Sequence, residues 1–161
     1  MLRCMNSSKD WGIFGNLNFT HIVVACNTFH LLEQEVTEMV GKPILSLIDT
    51  TRDEIVRQNI KKVALLASPT TINSRLFHDK LQSTTDIVCS DSIGQEKTED
   101  LIRLTIANKA STITHNLKEQ IETFNVPVIL GCTELSVIAD LLDLDSLIDP
   151  LNLVVEKIFN D

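Results

Sequence analysis

Short, continuous apolar runs alternate along this chain with longer stretches in which apolar residues recur every three or four positions. A continuous apolar run of strand length is typical of a strand covered on both faces, as in a parallel sheet between two layers of helices. The runs that predict strands are 21–26, 43–48, 62–67, 86–90, 126–131 and the shorter 146–148. The stretches that predict helices are 28–40, 50–59, 70–82, 95–124 with a break near 110–111, 133–142 and 150–159. This alternation predicts an α/β fold, doubly wound.

Several predicted helices begin at residues that favour helix starts. Thr28, Asp49 or Thr50, and Asp149 each have a side-chain oxygen that can accept a hydrogen bond from a free N–H of the first turn. Pro150, after Asp149, suits the first helical position because it has no N–H to leave unpaired.

Two of the predicted strands end on a cysteine that polar residues follow. The first stretch is VVACNTFH (23–30) and the second is VILGCTEL (128–135). In open α/β sheets, ligands bind outside the carboxyl ends of the strands. The N–H groups that open the following helices attract anions. We therefore expect Cys26 and Cys132 to form two halves of one site, each beside a small carboxylate-binding nook.

Composition narrows the classes of function. The chain has 161 residues, of which 43% are hydrophobic, so one domain of ordinary size or two small lobes can be built. A net charge of −8 argues against a nucleic-acid partner. No apolar run reaches the roughly 20 residues of a membrane span. No signal peptide is recognised at the N-terminus, so we expect a cytoplasmic protein with reduced thiols.

Motif spacing gives no sign of a metal or nucleotide site. The cysteines form no CxxC pair, the histidines lack HExxH spacing, and no glycine-rich phosphate loop is present. A lone cysteine at a strand end is more often a small core residue, which is what we expect of Cys4 and Cys89. The paired occurrence distinguishes Cys26 and Cys132 from them. For His30, a structural role is favoured over that of a base.

The two cysteine boxes, ACNTFH (25–30) and GCTEL (131–135), together resemble the aspartate/glutamate racemase superfamily. Its members carry a Cys-Asn-Thr box in the first half and a Gly-Cys-Thr box in the second. Glu134 stands where glutamate racemases have a histidine, which resembles the aspartate racemase branch. Segments 63–77 and 148–158 are similar to the family's strand-then-loop segment and its closing Asp-Pro helix.

The resemblance implies a two-lobed fold and cofactor-independent interconversion of L- and D-aspartate or a related acidic amino acid. One thiolate removes the α-proton, and a thiol on the opposite face of the α-carbon returns a proton. The resemblance assigns these thiols to Cys26 and Cys132, which we expect in one cleft roughly 7–9 Å apart. The residues it implies for substrate binding are Asn27, Thr28, Thr71, Lys109, Thr133 and Glu134. It implies no metal and no cofactor, and we expect a homodimer.

The sequence also departs from the family pattern. Thr70 replaces the family's glycine before Thr71, and Phe77 stands where a tyrosine is common. Only 25 residues precede Cys26. Family members carry there an opening strand with a Gly-rich loop, a helix and a second strand, together with an arginine that binds the distal carboxylate of the substrate.

We therefore expect a truncated first lobe, 1–46 plus 147–161, and a nearly complete second lobe, 47–146. The missing strand should expose a sheet edge and favour self-association. The chain as written should have little or no racemase activity. The alternatives are a catalytically inactive truncated relative, another racemase of the superfamily such as a hydantoin racemase, and a generic α/β binding module.

Overall fold

One parallel sheet organises the part of the chain that the structure describes. The computed structural model describes residues 18–19, 21–107, 113–142 and 147–160. The strands in these ranges are β1 (Lys62–Ala67), β2 (Asp86–Cys89), β3 (Val128–Gly131) and β4 (Leu147–Ile148). Their order across the sheet is β2-β1-β3-β4, and every neighbouring pair is parallel. The predicted α/β class with a parallel sheet is confirmed, and β1 has the predicted bounds.

Helices flank this sheet. A 3₁₀ helix, Asn27–Leu32, leads directly into the first α-helix. The α-helices of the described ranges are α1 (Glu33–Val40), α2 (Leu47–Arg57), α3 (Pro69–Asn73), α4 (Leu76–Leu81), α5 (Ser92–Ile106), α6 (Thr114–Glu122), α7 (Thr133–Ala139) and α8 (Pro150–Asn160). None of the helices in these ranges is long and apolar enough to cross a membrane.

The continuous apolar run of β1 is explained by coverage on both faces. Ala64 and Leu66 pack in a cluster with residues of α5, α6 and α7, whereas Val63 and Leu65 pack in a second cluster with residues of α2 and α4. All four of these side chains are at most 1% exposed. Since successive side chains of a strand point to opposite faces, positions 63–67 of β1 must all be apolar to support both clusters, whereas Lys62, its first residue, is exposed.

The predictions of strands at 21–26 and 43–48 are wrong. Only Ile22 and Ile44 pair, in an isolated parallel bridge with backbone hydrogen bonds from Ile22 N to the Pro43 carbonyl and from Leu45 N to the Ile22 carbonyl. The second run ends early because the Ser46 side chain accepts a hydrogen bond from Asp49 N and caps α2 at Leu47.

The N-terminal part of the described chain packs around a separate, small core. Val36, Val40 and Ile44 are buried there, and Phe19, Ile22 and Phe29 pack against them. At the other end of the chain, β4 pairs with β3, so residues 147–148 belong to the main sheet. The division into lobes at residues 46 and 147 stays a prediction.

Candidate functional site

Cys26 and Cys132 have the same local backbone setting. Each is the extended residue that immediately precedes a helix: Cys26 has φ −161° and ψ 114°, and Cys132 has φ −144° and ψ 128°. Cys132 follows β3 directly, so its position is fixed by a strand that lies between two others. The helices that follow are a six-residue 3₁₀ helix and the seven-residue α7. Both are short, which leaves side chains as the main groups that could hold a substrate.

The structure brings the two cysteine boxes into contact. The Thr133 hydroxyl donates a hydrogen bond of 3.4 Å to the carbonyl of Ala25, although 108 residues separate them. Cys26 also lies close enough to contribute to the raised pKa of the Cys132 thiol. The residues just before Cys26 and just after Cys132 therefore share one place in the fold.

Cys132 is half-buried and bonded to a carboxylate. Its Sγ–H donates a hydrogen bond of 2.8 Å to Glu134 Oε2. Burial, chiefly, together with the adjacent Glu134 raises the pKa of the Cys132 thiol from its ordinary value to about 12. Both causes disfavour the thiolate: burial removes hydration from a charged sulfur, and the carboxylate repels it.

Cys26 has a different environment. Its thiol is exposed, and its sulfur lies 3.2 Å from the Thr28 hydroxyl. A hydroxyl is neutral and can donate to a thiolate or accept from a thiol. The two thiols therefore differ in exposure and in the charge of the group bonded to them.

Asn27, which follows Cys26 directly, and Thr71, in the helix that follows β1, are buried polar residues. Asn27 is 3% exposed, and neither its side-chain nitrogen nor its side-chain oxygen has a hydrogen-bond partner in the structure. Thr71 is 1% exposed and lies in α3, which follows β1 at the same edge of the sheet as Cys132. Its hydroxyl is 3.1 Å from Ser68 Oγ. An unpaired buried amide is costly, so Asn27 offers a donor and an acceptor to a ligand.

The remaining candidates lie elsewhere. Lys109 and Cys4 lie outside the described residues. Cys89 is half-buried at the end of β2, and β1 separates it from the strand that leads to Cys132. Its sulfur is 4.0 Å from His78 Nε2. Burial raises the pKa of the Cys89 thiol and lowers that of His78, so both groups favour their neutral forms.

His30 has the structural role that the sequence favours. It is 8% exposed, its Nε2 accepts a hydrogen bond from Leu47 N, and its Nδ1 lies 2.7 Å from Glu33 Oε2. This pattern makes Nδ1 the protonated nitrogen of the neutral ring. His30 therefore ties the helical segment after Cys26 to the start of α2.

Ser68 is a polar neighbour of Thr71 that we did not predict. Its hydroxyl accepts from Thr71 N and caps α3, with Pro69 in the first turn. The sequence Ser68-Pro69 after an apolar run is the signal that could have found it, because serine before proline marks a helix start.

The volume of a groove does not identify the site of Cys26 and Cys132. A groove of about 690 Å³ lies between α5 and α6, lined by residues such as Cys89, Lys97, Gln120 and Phe124, and neither Cys26 nor Cys132 lines it.

No group of three or more histidine, cysteine or acidic side chains suited to a metal ion occurs among the residues described by the structure.

The parallel sheet and the contact between the two cysteine boxes place the chain in the class of α/β proteins that carry two cysteines at one site. The model of the Asp/Glu/hydantoin racemase family matches residues 9–158 of the chain. The chain belongs to this family. The predicted superfamily is confirmed.

Solved structures share the fold. The chain is similar to the aspartate racemase of Picrophilus torridus, with a TM-score of 0.74 and 23% identity over 89% of this chain and 62% of that one. It is also similar to an aspartate racemase homologue from Pyrococcus horikoshii OT3, with a TM-score of 0.72 and 22% identity over 95% and 71% of the two chains. The glutamate racemase of Francisella tularensis, solved with D-glutamate, is similar with a TM-score of 0.61 and 21% identity over 95% of this chain and 60% of that one.

The chain thus spans less than two thirds of the length of the Picrophilus and Francisella enzymes. At these identities the likeness establishes the fold. The substrate and the proton-transfer groups have to be argued from the site itself.

Proposed function

We propose that the chain carries the thiol pair of a cofactor-independent amino-acid racemase, with Cys26 and Cys132 as the two proton-transfer groups. The observation that carries this proposal is the contact between the two boxes, from the Thr133 hydroxyl to the Ala25 carbonyl. Two thiols on separate segments, held at one place, can address opposite faces of an α-carbon. A single segment could not do so.

Substrate binding is assigned to the polar residues around the thiols. Asn27, buried with its amide unpaired, is the best-placed group for the α-carboxylate and α-amine. Thr28, Thr71 and Thr133 supply hydroxyls nearby. Each of these hydroxyls has a partner in the protein, so a substrate must exchange with that partner or share the hydroxyl.

The substrate we propose is aspartate. Two of the structural neighbours are described as an aspartate racemase and an aspartate racemase homologue. The second box also carries Glu134, whereas glutamate racemases have a histidine at that position. We extend the proposal to Lys109 as a partner of the side-chain carboxylate, to a homodimer and to a cytoplasmic location.

Solvent deuterium exchange tests the proposal. The chain, at millimolar concentration in D₂O, is incubated with L-aspartate or D-aspartate, and proton NMR follows loss of the α-proton signal. We expect exchange above the uncatalysed rate from both enantiomers. Chiral chromatography follows conversion between the enantiomers, which Cys26→Ala and Cys132→Ala should each abolish, because each direction needs one thiol as base and the other as acid. Each variant can keep exchange only in the enantiomer whose α-proton faces the remaining thiol.

Cys89→Ala is the matched control, since that thiol lies across β1 from the pair, and its exchange rate should stay within a few-fold. Conversion between the enantiomers that survives Cys132→Ala, or that falls equally with Cys89→Ala, would refute the choice of pair. No exchange with aspartate but exchange with a 5-substituted hydantoin would identify the other racemase activity. No exchange with either would identify an inactive relative.

A further inference from the structure

Glu134 is placed to act on a thiol. Its described hydrogen-bond partners are Cys132 Sγ at 2.8 Å and the Thr133 hydroxyl at 3.5 Å, so its carboxylate faces the sulfur. We propose that Glu134 is a positioning residue that holds the proton on Cys132, so that in the resting site Cys132 is the acid and Cys26 the base. The assignment of acid and base rests on the proposed function, whereas the proton-holding contact does not.

The geometry favours a protonated Cys132 for two reasons. A thiol is a weak donor, but a carboxylate acceptor strengthens the bond and uses the only proton that the sulfur carries. Removing that proton would leave a thiolate against a carboxylate at 2.8 Å. Two negative charges at this distance repel strongly, and half-burial of the sulfur weakens the screening by water.

The backbone N–H of Glu134 favours the Cys132 thiolate and lowers the pKa of the thiol, but its effect is smaller than those of burial and of the Glu134 carboxylate. Cys26 acts in the same direction as the carboxylate, since its negative charge would also repel a Cys132 thiolate. Thr133 is neutral, and no lysine or arginine side chain of the described ranges forms an ion pair with Glu134. Cys26, in contrast, is exposed and has the neutral Thr28 hydroxyl as its neighbour.

The first turnover from this resting site is balanced in protons. The Cys26 thiolate takes the α-proton: the C–H bond breaks, an S–H bond forms, and the electron pair stays on the α-carbon beside the carboxylate. The Cys132 S–H bond then breaks, and its proton forms a new C–H bond on the opposite face. Cys132 is left as a thiolate beside Glu134. Uptake of a solvent proton by Cys132 and loss of one from Cys26 restore the resting site.

This asymmetry has a specific kinetic consequence. The two enantiomers have equal free energy in water, so kcat/KM must be the same in both directions. If one enantiomer binds the more populated protonation form of the thiols, its KM is lower. Because kcat/KM is equal in both directions, its kcat is then lower by the same factor. The enantiomer whose α-proton faces Cys26 binds the major form of the site, and Glu134→Gln should reduce any difference in KM between the enantiomers that this bias causes.

Alkylation of the individual thiols tests the proton-holding contact without any racemase assay. The chain is treated with iodoacetamide across a range of pH, and peptide mass spectrometry gives the rate at each cysteine. Thiolates react and thiols do not, so the pH midpoint reports the pKa of each group. In the parent chain we expect Cys132 to react far more slowly than Cys26 near pH ~9.

Glu134→Gln should raise the rate at Cys132 by about tenfold or more near that pH, the effect of one pKa unit. Glu134→Asp, which keeps the charge, should leave Cys132 slow. Asp140→Asn is the matched control, because Asp140 follows the last residue of the same helix, α7, and none of the described hydrogen bonds joins it to Cys132 or Glu134. Its Cys132 rate should stay within twofold. Unchanged Cys132 reactivity in Glu134→Gln would overturn the proposal.

Cys89 reports whether a variant has loosened the fold. If Glu134→Gln raises its rate too, the S–H stretching band decides, measured with Cys132 as the only cysteine and Glu134 intact. A lowered, hydrogen-bonded frequency that persists well above pH ~9 supports the proposal, and loss of the band near the ordinary thiol pKa of about 8.5 overturns it.

Altered alkylation without deuterium exchange would refute the racemase function alone, and exchange without altered alkylation would refute the role of Glu134 alone.

Discussion

At the residue scale, Gly131 determines where Cys132 can lie. It is the last residue of β3, and a Cβ atom placed on it would come within 2.7 Å of both Ala67 Cβ and Leu65 Cδ1, and within 3.2 Å of the Leu66 carbonyl. Glycine therefore allows β3 to approach β1 closely just before the thiol. A larger residue at position 131 would push β3 away from β1 and would therefore move Cys132.

We expect Gly131→Ala to destabilise the protein by about 1–3 kcal/mol, the usual cost of overpacking a core. Urea unfolding measures this cost. Ala67→Gly removes one of the two closest carbons, so the double variant should recover part of the loss beyond the sum of the single effects. A Gly131→Ala chain as stable as the parent would show that β1 and β3 are less closely packed than described.

At the scale of elements, Asp149 connects α7 to α8. Its Oδ1 accepts hydrogen bonds from the Ser136 hydroxyl and from Leu151 N, each 2.9 Å long, while Oδ2 is buried without a partner. The helix start predicted at Asp149-Pro150 is therefore present. Asp149→Ala should cost about 1 kcal/mol for the lost cap, and more for the unpaired Ser136 hydroxyl.

Asp149→Asn should show a pH dependence that separates charge from hydrogen bonding. Burial, chiefly, raises the pKa of the Asp149 carboxyl above its ordinary 3.8. As pH rises through this window the unfolded chain loses its proton first, so the contribution of Asp149 is complete below the ordinary pKa and is lost as pH rises through the folded pKa. Asparagine keeps Oδ1 and cannot ionise. Urea unfolding should show Asp149→Asn gaining stability relative to the parent from acidic to neutral pH, and a constant difference would contradict this.

The elements also show how far the sequence can be interpreted. After Lys62, the run 63–67 is apolar at every position because helices cover both faces of the strand, and such a pattern can be recognised in the sequence. The runs 21–26 and 43–48 have the same pattern, yet only Ile22 and Ile44 pair. Whether an apolar run forms a strand depends on which segments lie beside it, which the run itself does not encode. The hydrogen bond between Cys132 and Glu134 likewise depends on side-chain conformation, which the sequence pattern does not show.

At the scale of the whole molecule, the two thiols are supported unequally. Cys132 follows a strand that lies between β1 and β4, close to the main core. The segment before Cys26 is held at the Ile22–Ile44 bridge and by the hydrogen bond from Thr133 to Ala25, and its main apolar contacts belong to the smaller core. Segments with few backbone hydrogen bonds and more exposure open at lower free energy than core strands.

The last prediction follows from this inequality. A displacement of about 1 Å in a catalytic group can cost about a hundredfold in rate, because proton transfer needs the reacting atoms within close reach. We therefore expect the 161-residue chain at micromolar concentration to convert L-aspartate no faster than background, as chiral chromatography would show. The slow exchange expected of the thiol pair should need millimolar chain. Backbone amides of residues 22–26 should exchange with D₂O much faster than those of residues 63–66. Rapid conversion that Cys26→Ala abolishes, together with slow amide exchange at residues 22–26, would show that this segment is as firmly held as the core.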